Sequence, residues 1–201
     1  MLSTLLSFAV LGATTAPEME PASSVQRIAQ ADNPCQSTDT VLPSESMRRL
    51  ELDDFGVAVM IPENYRAILL NSGAIKIVDP GTYNLIRCQA IGGDPLGRGY
   101  PELLIRREPM PADQSLEEIV RADIYSDRPD SITGPPNQCI SPYPLEDQEG
   151  VLVQSPSQRH AEFWIQPPAT GTVTVLETSC DCQGMVERLT QVLSRTTLLE
   201  E

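Results

Sequence analysis

The apolar positions of this chain fall first into one unbroken run, residues 2–13, and then, after a long polar interval, into short stretches with alternating or helical spacing. Phe55, Val57, Val59 and Ile61 alternate with Gly56, Ala58 and Met60. That period of two predicts a strand closed by Pro62, and the small residues on its second face let another element approach closely. Further strands are predicted over 65–70, 74–79 and 82–88, separated by Asn71-Ser72-Gly73 and Asp79-Pro80-Gly81, both turn sequences. Short turns between consecutive strands imply an antiparallel meander.

Residues 89–100 contain Gly92, Gly93, Gly97 and Gly99 but no Gly-Lys-Ser/Thr ending, so they read as a mobile loop and not as a phosphate cradle. A strand over 102–107 precedes Ser115 and Glu118, whose spacing is that of a capping box opening a helix that runs to about Ser126. The Pro- and Asp-rich interval 127–148 reads mostly as loop, with a short edge strand near Cys139 and Ile140. Strands over 150–154, 160–166 and 172–178 follow, the last two joined as a hairpin by 167–171. Met185, Leu189, Val192 and Leu193 then mark a closing amphipathic helix. If Phe163 and Val175 share the core face, Trp164 lies opposite Thr174, Glu162 opposite Leu176 and His160 opposite Thr178. The face carrying His160, Glu162, Trp164 and Thr174 is then a candidate binding surface if open, or part of the core if a helix covers it.

The apolar run at 2–13 is too short to span a bilayer and has the length of the h-region of a signal peptide. Its flanks are imperfect: the first basic residue is Arg27, and the small-x-small sequence Ala29-Gln30-Ala31 lies far from the apolar core. Residues 1–31 are accordingly expected to be a signal peptide or disordered leader. The polar stretch that follows lacks apolar periodicity, which makes 32–46 a linker and 47–201 a single domain. Export to the periplasm, a thylakoid lumen or the exterior follows from this reading, and no transmembrane span is expected in the mature chain.

Charge narrows the partners. The chain carries 14 basic and 28 acidic side chains, a net charge of −14. Removal of 1–31, with Glu18, Glu20 and Arg27, changes this only to −13. Such a surface disfavours nucleic acid and anionic membranes, both of which need a basic footprint. The expected partner is another protein or a membrane-protein complex.

Five cysteines in an exported chain predict disulfides. Cys180 and Cys182 would close a strained ring with each other, so one of them is expected to bond a distant cysteine. Cys88 with Cys139 is the preferred second bridge, because it tethers a long loop. Enzymatic readings are weak. His160 is the sole histidine and lies in a strand beside Arg159, Cys180-Asp181-Cys182 supplies only two close thiols for zinc, and Glu146-Asp147-Gln148-Glu149 lacks the glycine turn of a calcium loop. No catalytic residue, cofactor or metal is assigned. A thiol-based redox role for Cys180-Asp181-Cys182 at a helix start stays open as an alternative, as does a structural role in the cell envelope.

The Phe55-to-Pro62 opening strand, the Ser115-Leu116-Glu117-Glu118-Ile119-Val120 helix start, the Gly150-Val151-Leu152-Val153 strand and the hairpin and helix from Val173 to Leu198 together resemble the PsbP-like family. That family includes the luminal extrinsic subunit of photosystem II and the Mog-type Ran-binding proteins. The resemblance implies an α+β fold, an α/β/α sandwich with a central antiparallel sheet and helices on both faces. It also implies a non-enzymatic binding or assembly role.

Overall fold

The computed structural model of the protein describes residues 34–35, 39–94, 103–126, 139–155, 160–168, 170–179 and 184–200. They fall within one unit, Asn33–Glu201, and the expected leader lies outside them. The elements are β1 (Met47–Leu52), a 3-10 turn (Asp53–Phe55), β2 (Val57–Pro62), β3 (Arg66–Leu69), β4 (Ile75–Val78), α1 (Pro80–Ala90), β5 (Leu103–Glu108), α2 (Leu116–Ser126), β6 (Cys139–Leu145), β7 (Gln148–Ser155), β8 (His160–Ile165), β9 (Val173–Ser179), α3 (Met185–Leu193) and β10 (Thr196–Leu198). Seven strands form one sheet in the order β3-β4-β5-β9-β8-β7-β6, and β1-β2-β10 form a second. Each of these strand pairs is antiparallel. The architecture is α+β, mostly sheet with a few helices.

The alternating apolar residues of β8 and β9 divide between two cores. On one face of the large sheet, Trp164, Val153, Val173 and Val175 pack against Ile119, Val120 and Ile124 of α2. On the other, Phe163, Ile165 and Leu176 pack against Met185, Leu189 and Leu193 of α3 together with Phe55, Val57, Val59 and Ile61. The layer beyond this second face is thus shared between a helix and the small sheet. The small residues predicted for the back of β2 serve as expected at Gly56. It adopts φ +63°, and a Cβ there would lie 2.5 Å from Pro167 and 2.8 Å from Thr170 of the β8–β9 hairpin. Thr174 closes the contact by donating its hydroxyl to the Phe55 carbonyl at 2.7 Å.

Several expectations need correction. Residues 82–88 form part of α1, not a strand, because Asp79-Pro80-Gly81 starts a helix instead of closing a turn. Asp79 is the N-cap and Pro80 occupies the first turn, where its missing N–H costs nothing. Thr82, Leu85 and Cys88 then recur at helical spacing on the buried side. The β8–β9 register is displaced by one: Phe163 pairs with Leu176, Trp164 with Val175, Glu162 with Glu177 and His160 with Ser179. The interval ending at 148 ends in a full strand, β6, paired along its length with β7. After α3 the chain returns as β10 to the edge of β2.

Candidate binding cavity

The predicted binding face is not an open surface. Trp164 is fully buried beneath α2. The one-residue shift in register puts Thr174 on the opposite side of the sheet, where it is also buried. The backbone of His160 belongs to β8, while its side chain lies outside the described residues. Glu162 and Trp164 do come together, with Arg106 of β5, as a structural network. The indole Nε1–H of Trp164 donates to Glu162 Oε2 at 2.8 Å. The other oxygen, Oε1, accepts from Arg106 Nη2 at 3.3 Å. Arg106 stacks over the Trp164 ring at 4.9 Å and also pairs with Glu108 and Asp123. Burial alone would lower its pKa, but the Glu162, Glu108 and Asp123 carboxylates outweigh that and raise it above the ordinary value. A carboxylate with 8% exposure is tolerable here because both of its oxygens are used.

The cysteines are arranged differently from the expectation. Cys88, on α1, is bonded to Cys35, with the two Cα atoms 5.0 Å apart. This excludes the Cys88–Cys139 bridge. The reason is α1: a helix carries Cys88 to the side where the chain before β1 runs. The side chain of Cys139 and all of Cys180 and Cys182 lie outside the described residues.

The disulfide draws attention to the segment read as a linker. Residues 39–46 are fastened to the domain and form a strap, held mainly by Asp79. This carboxylate, 1% exposed, accepts from Gly81 N at 2.8 Å and Thr82 N at 3.3 Å as the N-cap of α1. Its other oxygen accepts the Thr82 hydroxyl at 2.6 Å, and Oδ1 also accepts the backbone N–H of Val41 at 2.9 Å. One side chain thus caps a helix and clasps the strap. The strap passes so close to α1 that a Cβ on Gly81 would sit 1.7 Å from the Asp39 carbonyl oxygen, which only glycine permits. Farther along, Ser44 N donates to Asn64 Oδ1 at 2.9 Å, and Asn64 Nδ2 donates to the Leu42 carbonyl at 2.9 Å.

Between this strap and α3 lies a half-open cavity of about 590 Å³. Its apolar wall comes from Val41, Leu42 and Pro43 of the strap, Met60 and Ile61 of β2, and Ile77 and Leu103 of the large sheet. Its polar lining comes from both sides, with Thr40, Ser44 and Glu45 on the strap and three side chains on the α3 side. Arg188, Gln191 and Arg195 recur at intervals of three and four residues and so share one face of the helix and its C-terminal end. The Arg195 guanidinium has no partner among the described residues. Thr178 of β9 also lines the cavity; it is 5% exposed, and its hydroxyl has no hydrogen-bond partner among the described residues. Glu45 is the one acidic side chain among the described residues of the lining. The sequence signal for this site is the pair Arg188 and Arg195, seven residues apart beside the apolar stripe of α3 in a chain of net charge −14.

Among the described residues no helix is long and apolar enough to cross a membrane, and no group of three or more His, Cys, Asp or Glu side chains could hold a metal ion. Glu146 and Asp147, weighed as a weak cation site, form the β6–β7 turn, where Glu146 accepts the Leu198 N–H at 3.1 Å. Compared with known proteins, the chain matches no family model and no curated protein sequence.

Proposed function

We propose that this chain is an exported, non-enzymatic binding or assembly accessory of an extracytoplasmic compartment, and that the cavity between the strap and α3 is its binding site. The observation that carries the reading is the construction of that cavity. One wall is a short segment without regular secondary structure, yet it is held by a buried aspartate and an asparagine, with a disulfide just before it, so that Val41, Leu42 and Pro43 face the cavity. Holding such a segment in place costs conformational entropy, and a binding wall gives the expense a purpose. The disulfide suits the oxidising compartment expected from residues 1–31. In this reading the two sheets and three helices are a variant of the α/β/α sandwich of PsbP-like proteins, with part of one helical layer replaced by the small sheet. The outer, acidic surface meets a separate partner, another protein or a membrane-protein complex.

Affinity purification from the extracytoplasmic fraction tests this. The wild-type chain is expected to bring down a discrete partner or ligand that Met60→Trp, which fills the cavity, loses without a change in thermal stability. Retention of every co-purifying component by Met60→Trp would overturn the assignment of the site. Recovery of the chain only from the cytoplasm would overturn the compartment.

A further inference from the structure

Resting on that reading of the cavity, we infer that its ligand is a small single-chain amphiphile with one anionic, oxygen-bearing head group, such as a carboxylate. The volume, about 590 Å³, is within the range of small-molecule sites, and the apolar wall suits a hydrocarbon body. The polar groups specify the head. Among the described residues the Arg195 guanidinium and the buried Thr178 hydroxyl have no partner, and Arg188 lies two helical turns before Arg195. A buried hydroxyl without a hydrogen bond is uncommon in a folded protein and is satisfied by an oxygen atom of the ligand. A carboxylate offers two oxygens with several lone pairs, enough for a guanidinium and a hydroxyl together.

Charge distribution selects the anion. Among the described residues the charged lining is Arg188, Arg195 and Glu45, and the Arg195 guanidinium, without a partner among them, is a cationic group on a chain of net charge −14. The same overall charge argues against extraction of the head group while it sits in an anionic bilayer, since the rest of the surface is repelled by it. The ligand is therefore taken up as a free monomer.

Calorimetric titration of the full mature chain with monomeric dodecanoate, dodecanol and dodecyltrimethylammonium tests the inference. Dodecanoate is expected to bind about tenfold more tightly than dodecanol, as one charge-assisted hydrogen bond would give, and the cation least of all. Arg195→Gln should erase the advantage of dodecanoate and leave dodecanol unaffected. Thr178→Val, close in shape, should weaken dodecanoate and dodecanol alike by several-fold. Equal binding of dodecanoate and dodecanol, with Arg195→Gln silent, would overturn the anionic class while leaving the cavity as a binding site. Absence of binding by all three would overturn the amphiphile inference, and the co-purification with Met60→Trp then decides separately on the site. Sedimentation with phosphatidylglycerol vesicles in place of binding to free dodecanoate would overturn the monomer.

Discussion

The backbone N–H of Val41 donates to the carboxylate of Asp79 across thirty-eight positions of sequence, at 2.9 Å, while that same carboxylate caps α1. Strap and helix are therefore coupled through one buried side chain. Asp79→Ala removes the cap and leaves the N–H groups of Val41, Gly81 and Thr82 without their acceptor. The expected loss of stability is about 3 kcal/mol, from a lost N-cap and newly unsatisfied donors. Chemical denaturation measures the total, and hydrogen exchange should speed up together over 39–45 and the first turn of α1. Faster exchange in α1 alone would show that the strap is held by other means.

Reduction acts on the same strap from its other end. The Cys35–Cys88 bridge spans a sequence separation of 53. Closing a loop of that length contributes about 4 kcal/mol in the chain-entropy treatment. A Cys35→Ala, Cys88→Ala double variant should lose stability of that order in urea denaturation, and wild-type protein with reductant should lose at least as much. A variant as stable as oxidised wild type would show that the bridge contributes nothing to the fold.

Much of the fold is legible in the sequence where one physical signal acts alone. The capping box at Ser115 and Glu118, the alternation in β2 and the apolar stripe of α3 each read correctly, because each depends on residues within a few positions. The register of β8 against β9 did not. Phe163 and Trp164 are adjacent and both fully buried, one in each core, so alternation carries no information about which faces which layer. Asp79-Pro80-Gly81 misleads because turn and helix start share a vocabulary; the arbiter was the spacing of Leu85 and Cys88. The strap was hidden for another reason: its anchors are backbone groups meeting Asp79 and Asn64, partners 38 and 20 residues away. Arg188 and Arg195 were visible as residues but not as a site, since the wall facing them is this strap.

Glu162 is the keystone of the network beneath α2. Glu162→Ala leaves the Trp164 Nε1–H and one pairing of Arg106 without an acceptor in a largely buried place, at an expected cost of about 3 kcal/mol. Glu162→Gln should cost less, since an amide oxygen still accepts one hydrogen bond. Thermal denaturation gives the order. Wild-type tryptophan emission should be that of a buried indole, poorly quenched by acrylamide, whereas free quenching would contradict the packing of α2 on Trp164.

The α2 N-terminus should respond to acid. The backbone N–H and hydroxyl of Ser115 both donate to Glu118, at 2.7 and 2.8 Å, and hold its pKa below the ordinary glutamate value of 4.5. The folded state thus binds this proton more weakly than the unfolded one. Its contribution is full above the unfolded value and is lost as pH falls through the lowered folded value. The stability difference between wild type and Glu118→Ala should be constant near neutrality and narrow below about pH 4.5. A difference that widens on acidification would contradict the capping box. Arg106 adds no slope in this range: its raised pKa places any loss of stability at strongly alkaline pH.

Both the cavity and the extracytoplasmic reading depend on the strap being tied where the structure ties it. Peptide mapping without reduction, on protein taken from its native compartment with thiols blocked at lysis, tests this most directly. The expected result is a linked pair of peptides containing Cys35 and Cys88. Finding Cys88 joined to Cys139 would contradict the tie of the strap to α1, and all five cysteines blocked as free thiols would contradict the oxidising compartment as well.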